Sequence, residues 1–169
     1  LQGAVEESID ELRPWLVWAS EAREAQGEFL ERTELAWERG ERFEYALEDG
    51  GGALLGSGGL MRRIGPGGLE IGYWVHSAQA GKGIAKLATA ALTAAAFDLA
   101  DVDHVEIHHD RANLRSRGVP EKLGFELVEE AWKKELAPGD SGIDLVWRIR
   151  REAFAASPAM ALLSGHRAA

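Results

Sequence analysis

Across residues 43–75, apolar and polar positions alternate with period two in three short bursts, the texture of half-buried strands. Residues 43–47 read as the first strand, 53–62 as the second and 69–75 as the third. The runs EDGGG and IGPGG between them are turn sequences too short for a crossover, so the three strands form an antiparallel meander. Before the meander, residues 3–12 have helical composition and Pro14 stops them. A second helix covers about 21–39, with Ser20 placed as N-cap, Gly40 just past its end, and Phe29, Leu30, Ala36 and Trp37 on one stripe. After the meander comes an Ala-rich helix at about 84–99, in which Ala85, Ala88, Ala91, Ala95 and Ala96 provide small faces that can lie close on a sheet. A strand at 102–108, a short helix at about 114–123 and a closing hairpin of 125–130 with 143–149 complete the pattern. The order predicts an α+β fold, with a mixed, mostly antiparallel sheet flanked by helices. One domain is expected at 1–150, followed by a weakly patterned tail at 151–169 that Pro158 and Gly165 interrupt.

Length and composition narrow the classes of function. The 169 residues suit one domain, and 46% apolar with 28% charged residues is ordinary for a globular chain. With no cysteine, a disulfide framework, a thiolate zinc site and a thiol nucleophile are excluded, and a reducing, cytoplasmic location is expected. Nineteen basic against 28 acidic residues give −9, a field that repels nucleic acid and anionic membranes and attracts cations. The longest uncharged apolar-rich run, residues 87–97, is too short to span a bilayer, and the acidic start LQGAVEESIDEL is not a signal peptide.

The strongest local chemistry lies in YWVHSAQAGKGIAKLA, residues 73–88, where a strand ends, a glycine-rich turn follows and a helix begins. The first amides of a helix lack internal partners and sit at the positive end of its dipole, so Gly81, Lys82, Gly83, Ile84 and Ala85 can cradle a pyrophosphate. An ordinary turn before a helix is the alternative. A Walker loop fails, because His76 and Gly83 stand where it needs glycine and a hydroxyl residue; a dinucleotide fingerprint fails at Lys86.

Read together with HHDRANLRSRGVPEKLGFELVEE at 108–130, this turn resembles the GNAT superfamily of acyl-CoA-dependent N-acyltransferases, in particular its RimJ/RimL type. The matching stretches are LRPWLVWA, GERFEYAL, LEIGYWV, GKGIA, NLRS and EKLGF, in family order over about residues 10–150. The resemblance implies acetyl transfer from acetyl-CoA to a primary amine, with a protein N-terminal amine as one acceptor. A polyamine or aminoglycoside acceptor is an alternative, and so is a CoA-binding module without chemistry. It implies a sheet splayed at the third strand, where the backbone of Trp74 and Val75 pairs with the pantetheine arm and the turn 81–85 holds the pyrophosphate. It further implies that Asn113 contacts the cofactor, Ser116 reaches the sulfur and Glu70 acts as general base. It places the acceptor cleft between the N-terminal helices and the last hairpin, where Trp15, Trp18, Phe43, Tyr45 and Trp132 are candidate substrate-lining residues.

That chemistry suits these residue types. A protonated amine cannot attack a thioester, so a carboxylate must take its proton directly or through water, and a hydroxyl can assist the departing thiolate. Three departures stand out. Ala80 replaces the Gln or Arg that usually sits three residues before the key glycine. Pro120 stands where many members have a Tyr acid, and its ring is set against the carbonyl of Ser116. The strand that usually opens the family fold has no counterpart here, so a sheet edge is expected to be open or otherwise filled. Glu70 could instead be a surface charge or salt-bridge partner, Ser116 a plain helix residue and Asn113 a simple N-cap. His104, Glu106 and His108 share a strand face at metal-ligand spacing, but a polar wall is the simpler reading, and no metal is expected. Lys133 and Lys134 read as a solvated loop, and Asp144 has no assigned role. The oligomeric state stays open, a homodimer included.

Overall fold

A computed structural model describes residues 2–20, 23–134 and 137–167. Six strands form one mixed sheet: β1 (Arg42–Glu48), β2 (Leu54–Met61), β3 (Gly68–Val75), β4 (His104–Asp110), β5 (Glu126–Trp132) and β6 (Ile143–Arg150). Their spatial order is β1-β2-β3-β4-β6-β5. The first three are the expected antiparallel meander, and only β3 and β4 run parallel. The helices are α1 (Gln2–Glu7), α2 (Ile9–Leu12), α3 (Arg23–Glu38), α4 (Ile84–Asp98), α5 (Leu114–Leu123), α6 (Arg151–Phe154) and α7 (Pro158–Arg167). Among the described residues no strand precedes β1, which is a sheet edge. The capping role expected of Ser20 and the side chains of Phe29 and Leu30 lie outside the described residues. Among the described residues no helix is long and apolar enough to cross a membrane.

The sheet carries a core on each face, as period two requires. On one side Leu69 and Ile71 of β3, Val105 and Ile107 of β4, and Leu145, Trp147 and Ile149 of β6 pack against α4, α5 and α7. On the other, Trp74 joins Val5, Leu12 and Ala19, so the N-terminal helices cover β3. The α4 face buried in the core is Ala88, Thr89, Ala90, Leu92, Thr93, Ala96 and Phe97; Ala91, expected on the sheet side, is exposed.

The segment read as a tail is part of the main core. Phe154, Ala159 and Leu163 are buried there. Arg151 turns the chain back by donating from Nε to the Val102 carbonyl at 2.9 Å and from a terminal nitrogen to the Leu99 carbonyl at 2.6 Å. A cation at the C-terminal end of α4 also complements the helix dipole. Gly124, at φ +81°, ends α5 in a left-handed conformation, and a Cβ there would stand 2.6 Å from the Pro158 ring, so the same glycine permits α7 to dock.

The fourth strand begins two residues later than its pattern suggests. Val102 still donates to Leu99 as part of the turn that closes α4, while Asp110 pairs with Asp144 across β6 and prolongs the strand. That shift keeps His108 in the sheet and adds Asp110 to it.

Candidate active site

Between β3 and β4 the ladder has only three pairs, Gly68↔His104, Leu69↔Val105 and Glu70↔Glu106. Beyond them β3 stays paired with β2 as far as Val75, and β4 with β6 as far as Asp110. Each half of the sheet keeps its outer partner and loses the inner one, so the sheet opens as a V. Asp103 and His104 both donate to the Gly67 carbonyl, and His76 donates to Leu55. Backbone groups alternate sides along a strand, so odd-numbered residues of β3 face the opening and even-numbered ones face β2. Tyr73 and Val75 therefore present backbone groups to the opening. Trp74, expected to do the same, pairs with Ser57 in the β2 ladder and buries its indole under the N-terminal helices.

At the wide end of the V, α4 begins with Gly83 at its N-cap, at φ +84°, after Gly81 at φ +80°. Both conformations favour glycine, and a Cβ would meet nothing within 4 Å at Gly81 and only the Lys86 side chain, at 3.8 Å, at Gly83. Leu87 is the first residue whose N–H bonds back to Gly83, at 3.0 Å. Among the described residues the amides of Gly81, Gly83, Ile84 and Ala85 have no internal acceptor, while the Lys82 amide reaches Gln79 at 3.4 Å. Bare amides at the positive end of a helix, with free space before them, fit the diphosphate of coenzyme A.

Across the opening, Asn113 caps α5, its Oδ1 accepting from the Ser116 N–H at 3.1 Å. Pro120 lies inside α5 and supplies no N–H, so the Ser116 carbonyl loses its ordinary helical donor. The Tyr73 hydroxyl takes that place and donates to Ser116 O at 3.3 Å. Burial pushes the Tyr73 pKa up, which keeps the phenol protonated and able to donate. The break expected at Pro120 is absent: α5 runs unbroken from Leu114 to Leu123, and a strand across the V supplies the donor the proline lacks.

The inner end of the V is a cleft of about 580 Å³. Trp15 and Leu16 form one rim, Ser116 and Asn113 another, and Lys133, Asp140 and Asp144 a third. The loop after β5 is tied to the first rim where the Gly139 N–H meets the Pro14 carbonyl at 2.8 Å. Glu70, buried at the bottom, has both oxygens on the Arg63 guanidinium, with Nε to Oε2 at 2.7 Å and a second bond to Oε1. His108 stands beside it, its Nε2 2.6 Å from Glu106 Oε2. The other Glu106 oxygen takes two bonds from Arg148. Burial pushes the Glu106 carboxyl up, but the bonds from His108 and Arg148 outweigh it and hold the pKa below the ordinary value. Asp110 is buried yet accepts from Ala112 and twice from Ser141, and its pKa is lowered by those bonds against the desolvation.

The structure gathers Glu70, Ser116, Asn113 and Trp15 around one cleft. The other aromatic candidates do not line it. Trp18 leans on Trp74 with centroids 6.3 Å apart, Tyr45 rests edge-on against Trp37 at 5.2 Å, and Phe43 does so at 5.3 Å. Trp132 is 85% exposed at the end of β5. Lys133 is not a solvated loop residue: its Nζ lies 3.3 Å from Asp144, 3.6 Å from Asp140 and 3.8 Å from Asp110. His108 and Asp144 were visible only as a strand-face histidine and an unassigned acid. What joins them is the β4–β6 register, which no local pattern reveals. Among the described residues no cluster of three or more side chains could hold a metal ion.

These features define an acyl-CoA transferase architecture, and the acetyltransferase (GNAT) domain model matches residues 5–126. The chain belongs to that family. Among solved structures, Mycobacterium smegmatis RimJ in complex with a CoA disulfide superposes with TM-score 0.83 at 21% identity, over 98% of this chain and 82% of that one. RimL, a ribosomal L7/L12 alpha-N-protein acetyltransferase in complex with coenzyme A, gives 0.80 at 21% identity over 89% and 86%. YdaF of Bacillus subtilis (strain 168), whose name provisionally assigns ribosomal N-acetylation, is 41% identical over 56 residues. That match spans 33% of this chain and only 31% of the curated relative.

Proposed function

We propose that this protein transfers an acetyl group from acetyl-CoA to a primary amine, and that the acceptor is the α-amine of a protein N-terminus. The observation that carries the reading is the ladder that stops at Glu70↔Glu106, with bare amides at the start of α4 beside the opening. When bound, acetyl-CoA supplies a thioester, an acyl group already activated for attack. The bare amides of Gly81, Gly83, Ile84 and Ala85 hold its diphosphate. Backbone groups of Val75 and Tyr73 pair with the pantetheine arm, and an N–H from the same edge polarises the thioester carbonyl. Asn113 fixes the first turn of α5, and Ser116, which lines the same cleft, offers its hydroxyl to the departing sulfur. Glu70 attracts the ammonium of the acceptor, but takes a proton only by giving up a charge-assisted bond to Arg63. The names of RimL and YdaF, both attached to ribosomal N-terminal or ribosomal acetylation, support a protein acceptor.

Calorimetry with acetyl-CoA, followed by a thiol-release screen over peptides with varied N-termini, polyamines and aminoglycosides, tests this reading. We expect binding in the micromolar range and release of thiol with free-α-amine peptides. No binding at millimolar acetyl-CoA would defeat the reading; release only with polyamines or aminoglycosides would move the acceptor to small cations.

A further inference from the structure

We infer that His108 is the proton acceptor of the reaction, and that its Nδ1, Glu70 and Asp144 together form the seat of the acceptor's ammonium group. The inference rests on the acetyl-transfer reading and adds the amine site to it. A carboxylate can only accept, so the 2.6 Å contact between His108 Nε2 and Glu106 Oε2 places the ring hydrogen on Nε2. Glu106 is anchored in turn by Arg148, so the ring is held in one orientation and one tautomer. Nδ1 then carries a lone pair. It lies 3.9 Å from Glu70 Oε2 and 3.7 Å from Asp144 Oδ2, and neither carboxylate has a hydrogen to donate to it, so the lone pair stays available to an incoming donor. Two carboxylate oxygens thus lie within 4 Å of a ring nitrogen that can accept, all three residues line one cleft, and an ammonium has three N–H donors to offer them.

The neighbours are less suited to the proton. Glu70 has both oxygens on Arg63, and Asp144 has Lys133 at 3.3 Å. The charged groups around the imidazole and the cleft it lines are Glu106 and Asp110 of β4, Glu70 of β3 with Arg63 on it, Asp144 and Arg148 of β6, and Lys133 and Asp140 of the loop after β5, while the titratable His104 lies 3.9 Å from Glu106. Five carboxylates against three cations leave the cleft net negative, which favours an incoming cation. A carboxylate orienting an imidazole that takes a proton from a nucleophile is a recurrent catalytic arrangement. In the step, the ammonium gives one proton to Nδ1. Its nitrogen then forms a C–N bond to the thioester carbonyl carbon while the C–S bond breaks. The sulfur leaves with the electron pair and takes the second proton lost by nitrogen, and His108 returns the first to water.

Two measurements test this. In the first, the ring signals of His108 are followed by NMR, without acetyl-CoA, as a six-residue peptide with a free α-amine is added; its N-acetylated twin is the control. We expect the His108 signals to move with the free peptide only, and to stay still in a Glu70→Gln, Asp144→Asn double variant. An unmoved signal overturns the amine seat. In the second, kcat and KM are measured against pH for His108→Gln and Glu106→Gln. General-base removal predicts a kcat loss of about 100-fold or more for His108→Gln, with the KM for acetyl-CoA unchanged and the limb of the pH profile assigned to the base abolished. Glu106→Gln should shift that limb rather than abolish it. Retention of the wild-type rate and profile in a folded His108→Gln protein overturns the base assignment. Failure of the wild type to bind acetyl-CoA defeats the transfer reading alone, and the NMR arm still decides the amine seat.

Discussion

His109 shows what one side chain can hide from sequence. Alternation places it on the face opposite His108, and the fold buries it there, stacked on Trp147 with an interplanar angle of 16°. Its Nδ1 donates to the Asp110 carbonyl at 2.9 Å, and its Nε2 accepts from the Trp147 indole at 3.0 Å. Both nitrogens are satisfied only in the neutral ring, since a proton on Nε2 would face the indole N–H. Burial accordingly lowers the His109 pKa from its ordinary 6.5. The unfolded chain then binds more protons than the native one as pH falls through the region below about 6.5, so this contribution to stability is complete above that pH and lost beneath it. Urea denaturation at pH 7.5 and pH 5.5 should show a lower midpoint in acid for the wild type, with a smaller difference for His109→Gln. An equal difference in both proteins would place the acid sensitivity on other groups. The period-two pattern did put a histidine on each face of this strand. It could not reveal a partner contributed by β6, 38 residues away.

At the scale of elements, the bounds of β1 to β3, α4 and α5 were legible within one or two residues, because turn runs, glycines and an Asn cap mark them locally. Pro120 was legible too, but its consequence was not, since the donor that replaces the missing N–H comes from Tyr73 on another element. The two residues should therefore be energetically coupled. Tyr73→Phe leaves the Ser116 carbonyl without a partner and should cost roughly 1 kcal/mol. With Pro120→Ala in the background, the helix regains its own donor for that carbonyl, so the same Tyr73→Phe change should cost markedly less. A double-mutant cycle by chemical denaturation reads the difference directly. Additive effects would mean that the hydroxyl contributes nothing to α5. Because Ser116 sits at this joint, Tyr73→Phe should also disturb turnover more than acetyl-CoA binding.

At the scale of the whole molecule, the sequence placed the domain's end at about residue 150, yet the core does not stop there. The pattern over 151–167 is weak because it sends only Phe154, Ala159 and Leu163, with Met160 half-buried beside them, to the main cluster among the described residues, and two short helices divide them. Their fit depends on elements far away: the Phe97 ring lies 5.3 Å from Phe154, Gly124 leaves space for Pro158, and Arg151 closes the end of α4. If these helices belong to the same cooperative unit as the splayed sheet, a cavity cut into them must be felt by the entire fold. Phe154→Ala should lower stability by about 3–5 kcal/mol while unfolding remains a single transition, followed in parallel by far-UV circular dichroism and tryptophan fluorescence. A first transition confined to the helical signal, with the sheet melting later as in the wild type, would instead make residues 151–167 an independent appendage. If the start of α4 is the diphosphate cradle proposed above, acetyl-CoA should raise the melting temperatures of Phe154→Ala and of the wild type alike, ligand binding to the native state adding stability by mass action. Loss of that shift in a variant still folded would show that the α6–α7 packing also sets the position of the cradle.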